Sequence, residues 1–191
     1  MAALVIGLGN PGGEYTRTRH NVGWMCLDEL ERRGRFGRER REGPARIREG
    51  SLEGFDVVTA RPQTYMNVSG RAGVHLTERF GVRPGDVVVV HDEADLPLGR
   101  IRVKEGGRSA GHRGVQSLID SWRTQDFVRV RIGVGHPGAT GDLVDHVLDR
   151  FDREERERLP EIIARAADAV ITIIRDGAQQ SMTLFNRAAD V

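Results

Sequence analysis

The stretch "LVIGLGNPGGEYTRTRHNVGW", residues 4–24, decides what kind of α/β protein this chain forms. Gly7, Gly9 and Gly12 follow a short apolar run at the spacing of a dinucleotide-binding loop. That fingerprint needs its third glycine inside a helix that opens in the loop, so that the helix N-terminus meets a pyrophosphate. Here Asn10-Pro11-Gly12-Gly13 is turn chemistry, and the helical pattern begins only near Asn21. The acidic residue that would bind ribose from a second strand end is also misplaced, since Glu29 and Glu31 fall within that helical pattern. The stretch therefore reads as a strand that delivers Asn10 to its C-terminal edge, then a loop carrying Tyr15 and ending in His20-Asn21. In α/β sheets that edge is where ligands bind.

Outward from this strand, β-branched apolar runs at Asp56–Thr59, Val87–Val90, Ile101–Val103 and Val128–Ile132 predict further strands. Helical patterns lie between them at Val22–Arg33, Ser69–Phe80 and Gly114–Trp122, with Gly81 ending the second. The alternation predicts an α/β fold: a mixed, mostly parallel twisted sheet flanked by helices in three layers, with Val87–Val90 central. Leu159, Ile162, Ile163, Ala166, Val170, Ile173 and Ile174 fall at helical spacing before Gly177. Pro160 suits the first turn of that helix, so "DREERER" before it reads as a separate short helix or turn. The Arg-rich stretch 32–49, with Gly34, Gly37, Gly43 and Pro44, reads as a flexible loop. A chain of 191 residues is long enough for one domain, expected over 1–191.

The net charge is +1, from 29 basic and 28 acidic residues, so there is no global pull toward nucleic acid. The distribution is uneven: residues 100–113 carry five bases against one acid, and residues 31–50 eight arginines against four glutamates. A local basic surface for a polyanion and an ordinary solvated surface are both compatible with this pattern. The single cysteine, Cys26, cannot form an internal disulfide. With no signal-peptide pattern and no apolar run of membrane-spanning length, a cytoplasmic protein without membrane contact is expected.

Polar residues gather at the other strand ends. "HDEADLPLG" after Val87–Val90 puts Asp92 at the same edge as His20 if the strands run parallel. A carboxylate there can hold one imidazole nitrogen and leave the other free to take a proton. The same spacing suits Asp92 as a turn cap and His20 as a surface histidine. "RPQTYMNVSG" brings Tyr65, Met66 and Asn67 to the sheet mouth, where Asn67 is either a substrate donor or the cap of the helix near Ser69. "GGRSAGHRG", residues 106–114, puts His112 and Arg113 near a helix start, as a phosphate loop, a mobile lid or a plain turn. No compact His or Cys ligand motif occurs, so no metal is expected.

Taken together, "GLGNPGGEYTRTRHNVGW", "RPQTYMNVSG", "VVVVHDEADLPLGRIRVKEGG", "GHRG" and "FVRVRIGVGHPG" resemble the bacterial peptidyl-tRNA hydrolase family in order and spacing, from about residue 4 to Phe185-Asn186. The resemblance implies a monomeric, cofactor-independent enzyme that cleaves the ester between peptide and tRNA in peptidyl-tRNA released prematurely from ribosomes. It places the catalytic base at His20, its supporting carboxylate at Asp92 and a discriminating amide at Asn10. Tyr15, Tyr65, Met66, Asn67, His112 and Arg113 fall on substrate-binding positions for the 3′ end and peptide. Lys104 and Arg131 fall on positions that grip tRNA phosphate near the acceptor stem. The chain departs from the family at Arg113, where most members carry Asn. That departure leaves open an RNA-binding relative without hydrolase activity, against which the retained His20 and Asp92 argue. A nucleotide-binding oxidoreductase is the other alternative, and the loop geometry argues against it.

Overall fold

Residues 1–187 are described by the computed structural model. Eight strands form one sheet: β1 (Ala3–Gly7), β2 (Arg35–Phe36), β3 (Arg40–Glu42), β4 (Ala45–Leu52), β5 (Phe55–Pro62), β6 (Val88–Glu93), β7 (Ile101–Glu105) and β8 (Val128–Gly133). Six α-helices accompany them: α1 (Val22–Arg33), α2 (Ser69–Phe80), α3 (Arg113–Trp122), α4 (Leu143–Leu148), α5 (Arg153–Asp176) and α6 (Ala178–Phe185). The strand order is β2-β4-β5-β1-β6-β8-β7, with β3 also on β4. The centre is parallel, β5 to β1 to β6 to β8, and the margins are antiparallel. Every strand and the first three helices expected from periodicity are present.

The parallel strands are apolar on both faces because each face is covered, which gives the three layers. Val5, Val88, Val90, Val130 and Ile132 pack with α1 and α5, whereas Leu4, Ile6, Val89 and Phe127 pack with α2 and α3. Glycine sets how closely α1 approaches. A Cβ on Gly23 would lie 2.5 Å from the Val90 carbonyl oxygen and 2.8 Å from that of Leu8. Thus the first of the three motif glycines, Gly7, serves packing: its Cβ would meet the Gly23 carbonyl and Leu27 at 2.8 Å.

Two expectations are corrected. Residues 32–49 are not a loop but contain β2, β3 and the start of β4. Ala45 and Ile47 are buried while Arg46 is exposed, a period of two that the density of Arg and Gly obscures. The hairpin to β5 turns at Glu53-Gly54, both with positive φ, as a two-residue turn matching strand twist requires. Likewise, "DREERER" and the helix after it are one element, α5. Asp152 accepts from the Glu155 N–H while Glu155 accepts from the Asp152 N–H, a capping box that starts the helix upstream of Pro160. Pro160 lies on the exposed side, where water can take the carbonyl that loses its partner. No helix among the described residues is long and apolar enough to cross a membrane.

Candidate active site

The parallel register Gly7↔Val90 brings the C-terminal ends of β1 and β6 side by side. Asp92 emerges there, wholly buried, and His20 reaches it from a short 3-10 turn over Arg19–Asn21. His20 Nδ1 lies 2.9 Å from each Asp92 carboxylate oxygen. His112 Nε2 lies 2.9 Å from Asp92 Oδ1. One carboxylate therefore holds two imidazoles. Burial pushes its pKa up, but the positive charge that His20 and His112 carry when protonated, and their hydrogen bonds, overcome this and hold it well below the usual carboxylate range.

The surroundings settle both tautomers. His112 is the N-cap of α3, and its Nδ1 accepts from the N–H groups of Gly114 (3.1 Å) and Val115 (3.2 Å). Nδ1 must therefore be unprotonated, so Nε2 carries the proton and donates it to Asp92. His20 donates through Nδ1, which leaves its Nε2 lone pair free at the cleft. The His20, Asp92 and His112 atoms are close enough together to suggest a cation site. The tautomers turn protons, not lone pairs, toward Asp92, which suits proton transfer better than metal ligation.

Asn10 is fixed beside this pair. Its backbone N–H donates to Asn21 Oδ1 (2.9 Å) and its carbonyl accepts from Asn21 Nδ2 (2.9 Å). Its own Oδ1 accepts from the Met66 N–H at 2.7 Å, so the side-chain NH2 is the end left for a ligand. Asn21, fully buried, is a positioning residue that spacing did not reveal. Its only sequence signal is adjacency to His20.

Asn10, His20 and Asp92 open into a cleft of about 250 Å³. Tyr65, Met66, Asn67, His112 and Arg113 also line it, as expected, and so do Leu143, Val144, Val147 and Leu148 of α4, which were not. Tyr65 is 62% exposed, and Leu143 and Val144 are 40% and 43% exposed, so the cleft offers uncovered apolar surface. Asn67 does not cap α2: Val68 occupies the cap position, and no side-chain cap bond forms. Tyr15 lies in the 3-10 turn Gly13–Tyr15 and is not among the residues lining the cleft. Arg113 is exposed at the first turn of α3.

Lys104 and Arg131 stand apart from the cleft on β7 and β8. Register pairs Lys104 with Arg129 and Arg102 with Arg131, and Ile101, Val103, Val130 and Ile132 point to the opposite face. All four bases thus share one face. Arg129 is buried, donating to the carbonyls of Arg108 (2.8 Å), Gly107 and Gln125. Burial, and Arg131 beside it, push its pKa down to about 10. Arg131 pairs with Glu93 at 3.1 Å, and Glu93 in turn lines the cleft. Arg102 is exposed on the same row and was not singled out from sequence.

Residues 4–190 match the family model described as peptidyl-tRNA hydrolase. The peptidyl-tRNA hydrolase of Dehalococcoides mccartyi is 41% identical over 186 residues, 96% of this chain and 98% of the relative. That of Nocardia farcinica is 46% identical over 179 residues, 93% and 92% of the two chains. The crystal structure of peptidyl-tRNA hydrolase from Acinetobacter baumannii superposes with a TM-score of 0.90 at 33% identity, covering 97% of this chain and 95% of that one.

Proposed function

The chain belongs to the peptidyl-tRNA hydrolase family, and we propose that His20 is the general base with which it hydrolyses the ester joining peptide to tRNA. The observation that carries this is the free Nε2 lone pair of His20 at the cleft, with Nδ1 held by an ionised Asp92. Nε2 takes a proton from water as the water oxygen bonds to the ester carbonyl carbon. The acyl C–O bond then breaks, and the same proton passes to the departing ribose oxygen. Only water is consumed, so the reaction needs no cofactor. The side-chain NH2 of Asn10, with that of Asn67, donates to the carbonyl oxygen as negative charge develops, without adding a charge beside His20.

The peptide lies along the apolar wall made by Tyr65, Met66 and α4, and Tyr15 is a further contact for the 3′ end of the substrate. Arg113 at the rim is always charged and donates only, so it suits a phosphate or carbonyl of the substrate. Lys104 and Arg131, joined by Arg102, contact phosphates of the acceptor stem without reading bases. The enzyme acts as a monomeric single domain in the cytoplasm, on peptidyl-tRNA released prematurely from ribosomes.

The test is release of free tRNA from N-blocked aminoacyl-tRNA by the wild-type protein, His20→Ala and Arg113→Asn. Rapid wild-type release lost in His20→Ala supports the reading, and Arg113→Asn measures what the departure does. Tight tRNA binding without release by the wild type would overturn it in favour of an RNA-binding protein.

A further inference from the structure

We infer that Arg19 is a positioning residue for peptide recognition, holding α4 as the apolar wall of the cleft; the inference rests on the hydrolase reading above. The α4 helix is six residues long, and none of them is buried. So short a helix is unstable alone, and it has no core contact to fix it. Polar staples hold it instead. Asp142 caps it by accepting from the Asp145 N–H at 3.0 Å, and the His146 ring Nε2 donates to the Gly135 carbonyl at 2.9 Å.

The third staple is Arg19, a charged residue only 7% exposed. Its Nη1 donates to the His146 carbonyl at 3.0 Å, a helix-terminal carbonyl whose outward lone pair a cation suits. Its Nη2 pairs with Glu155 at 2.6 Å, and the guanidinium lies 5.6 Å from the Phe151 ring centroid. Glu155 also closes the capping box of α5, so one carboxylate ties the helix start to Arg19. The Arg19 N–H donates to the Asp149 carbonyl at 3.0 Å, and Thr18 bridges Arg150. The residue before His20 thus sets the height of α4 over His20. Leu143, Val144, Val147 and Leu148 keep their place in the wall through that contact.

The charge on Arg19 does not reach His20 through any hydrogen bond among the described residues. Its loss should change how the peptide binds and leave the base alone. The experiment measures steady-state release of tRNA from N-acetylphenylalanyl-tRNA and N-acetylglycyl-tRNA by wild type, Arg19→Met, Arg19→Lys and Glu155→Gln. Arg19→Met is expected to raise KM for the phenylalanyl substrate roughly tenfold, the scale of lost apolar pocket contact, with a smaller rise for glycyl. Turnover at saturation and its pH profile stay as in wild type. Arg19→Lys recovers part of the affinity. Glu155→Gln, which can still close the capping box, shifts KM the same way by less, and it decides alone if Arg19→Met does not fold. An unchanged KM in folded variants, an equal rise for both substrates, or a displaced pH profile overturns the inference while leaving the hydrolase reading standing. Absence of wild-type release overturns both.

Discussion

Asp92 binds two imidazoles at once, and the two differ in what else holds them. His112 is tied on its far side to the N-terminus of α3, whereas among the described residues His20 has no partner on its far side, which faces the cleft. That asymmetry is why His20, and not His112, is proposed as the base. Asp92→Asn should lower turnover by about 10²–10⁴-fold while retaining tRNA binding, because an amide cannot stabilise the imidazolium and favours the wrong tautomer. Single-turnover rates beside a tRNA binding curve check it, and a collapsed melting temperature with normal residual turnover would mark Asp92 as structural only. A second titration belongs to His91, whose Nδ1–H donates to the Asp92 carbonyl at 2.7 Å and whose Nε2 is buried without a partner among the described residues. Burial, and then the charge His112 carries when protonated, push its pKa well below the ordinary 6.5, with Asp92 opposing and Arg129 assisting. The unfolded chain therefore takes up the proton first as pH falls. Stability from this group is complete above pH 6.5 and is lost below it, by up to about 1.4 kcal/mol per pH unit. In denaturation between pH 7 and 5, His91→Gln should flatten that slope by up to one proton. An unaltered slope would assign the loss elsewhere.

Among the elements, α1 carries the most weight, since the turn holding His20 and Asn21 runs straight into it. Its approach depends on Gly23. Gly23→Ala should cost about 1–3 kcal/mol by overpacking against the Leu8 and Val90 carbonyls, and it should slow turnover by moving His20. Chemical denaturation gives the first effect; a loss under about 0.5 kcal/mol would mean that the sheet yields instead. The margins of the sheet are managed differently. Asn186 pairs its side-chain amide with Val103, accepting from its N–H at 2.7 Å and donating to its carbonyl at 2.8 Å, which occupies the open edge of β7. The central strands were legible because burial on both faces leaves long β-branched runs. The β2–β4 strands were not, because one face is solvated and its arginines alternate with few apolar residues. Likewise α4 carries no periodic apolar stripe facing the core, and only the neighbouring loops give it a place.

At the scale of the molecule, the cleft and the basic row are linked through Glu93, which lines the first and pairs with Arg131 of the second. The phosphate contact proposed for that row predicts salt-sensitive, sequence-tolerant binding. Lys104→Ala should weaken tRNA affinity and reduce the slope of log K against log salt by about one, with turnover at saturation unchanged. An unaltered slope would remove Lys104 from the phosphate contacts. The order of motifs along the chain and the strand and helix periodicities were readable in the residues, because each depends on local pattern. The meeting of His20 with Asp92 at one sheet edge was one of two readings that spacing allowed, and the parallel register of β1 and β6 decides between them. The reading could not reach the second imidazole on Asp92, the locked amide of Asn10, the wall built by α4 or the clamp of Arg19. These join residues as far apart as 136 positions, and their partners are distant carboxylates and backbone groups whose directions exist only once the chain is folded. Side-chain type can announce a donor, but only the tertiary structure decides what it donates to.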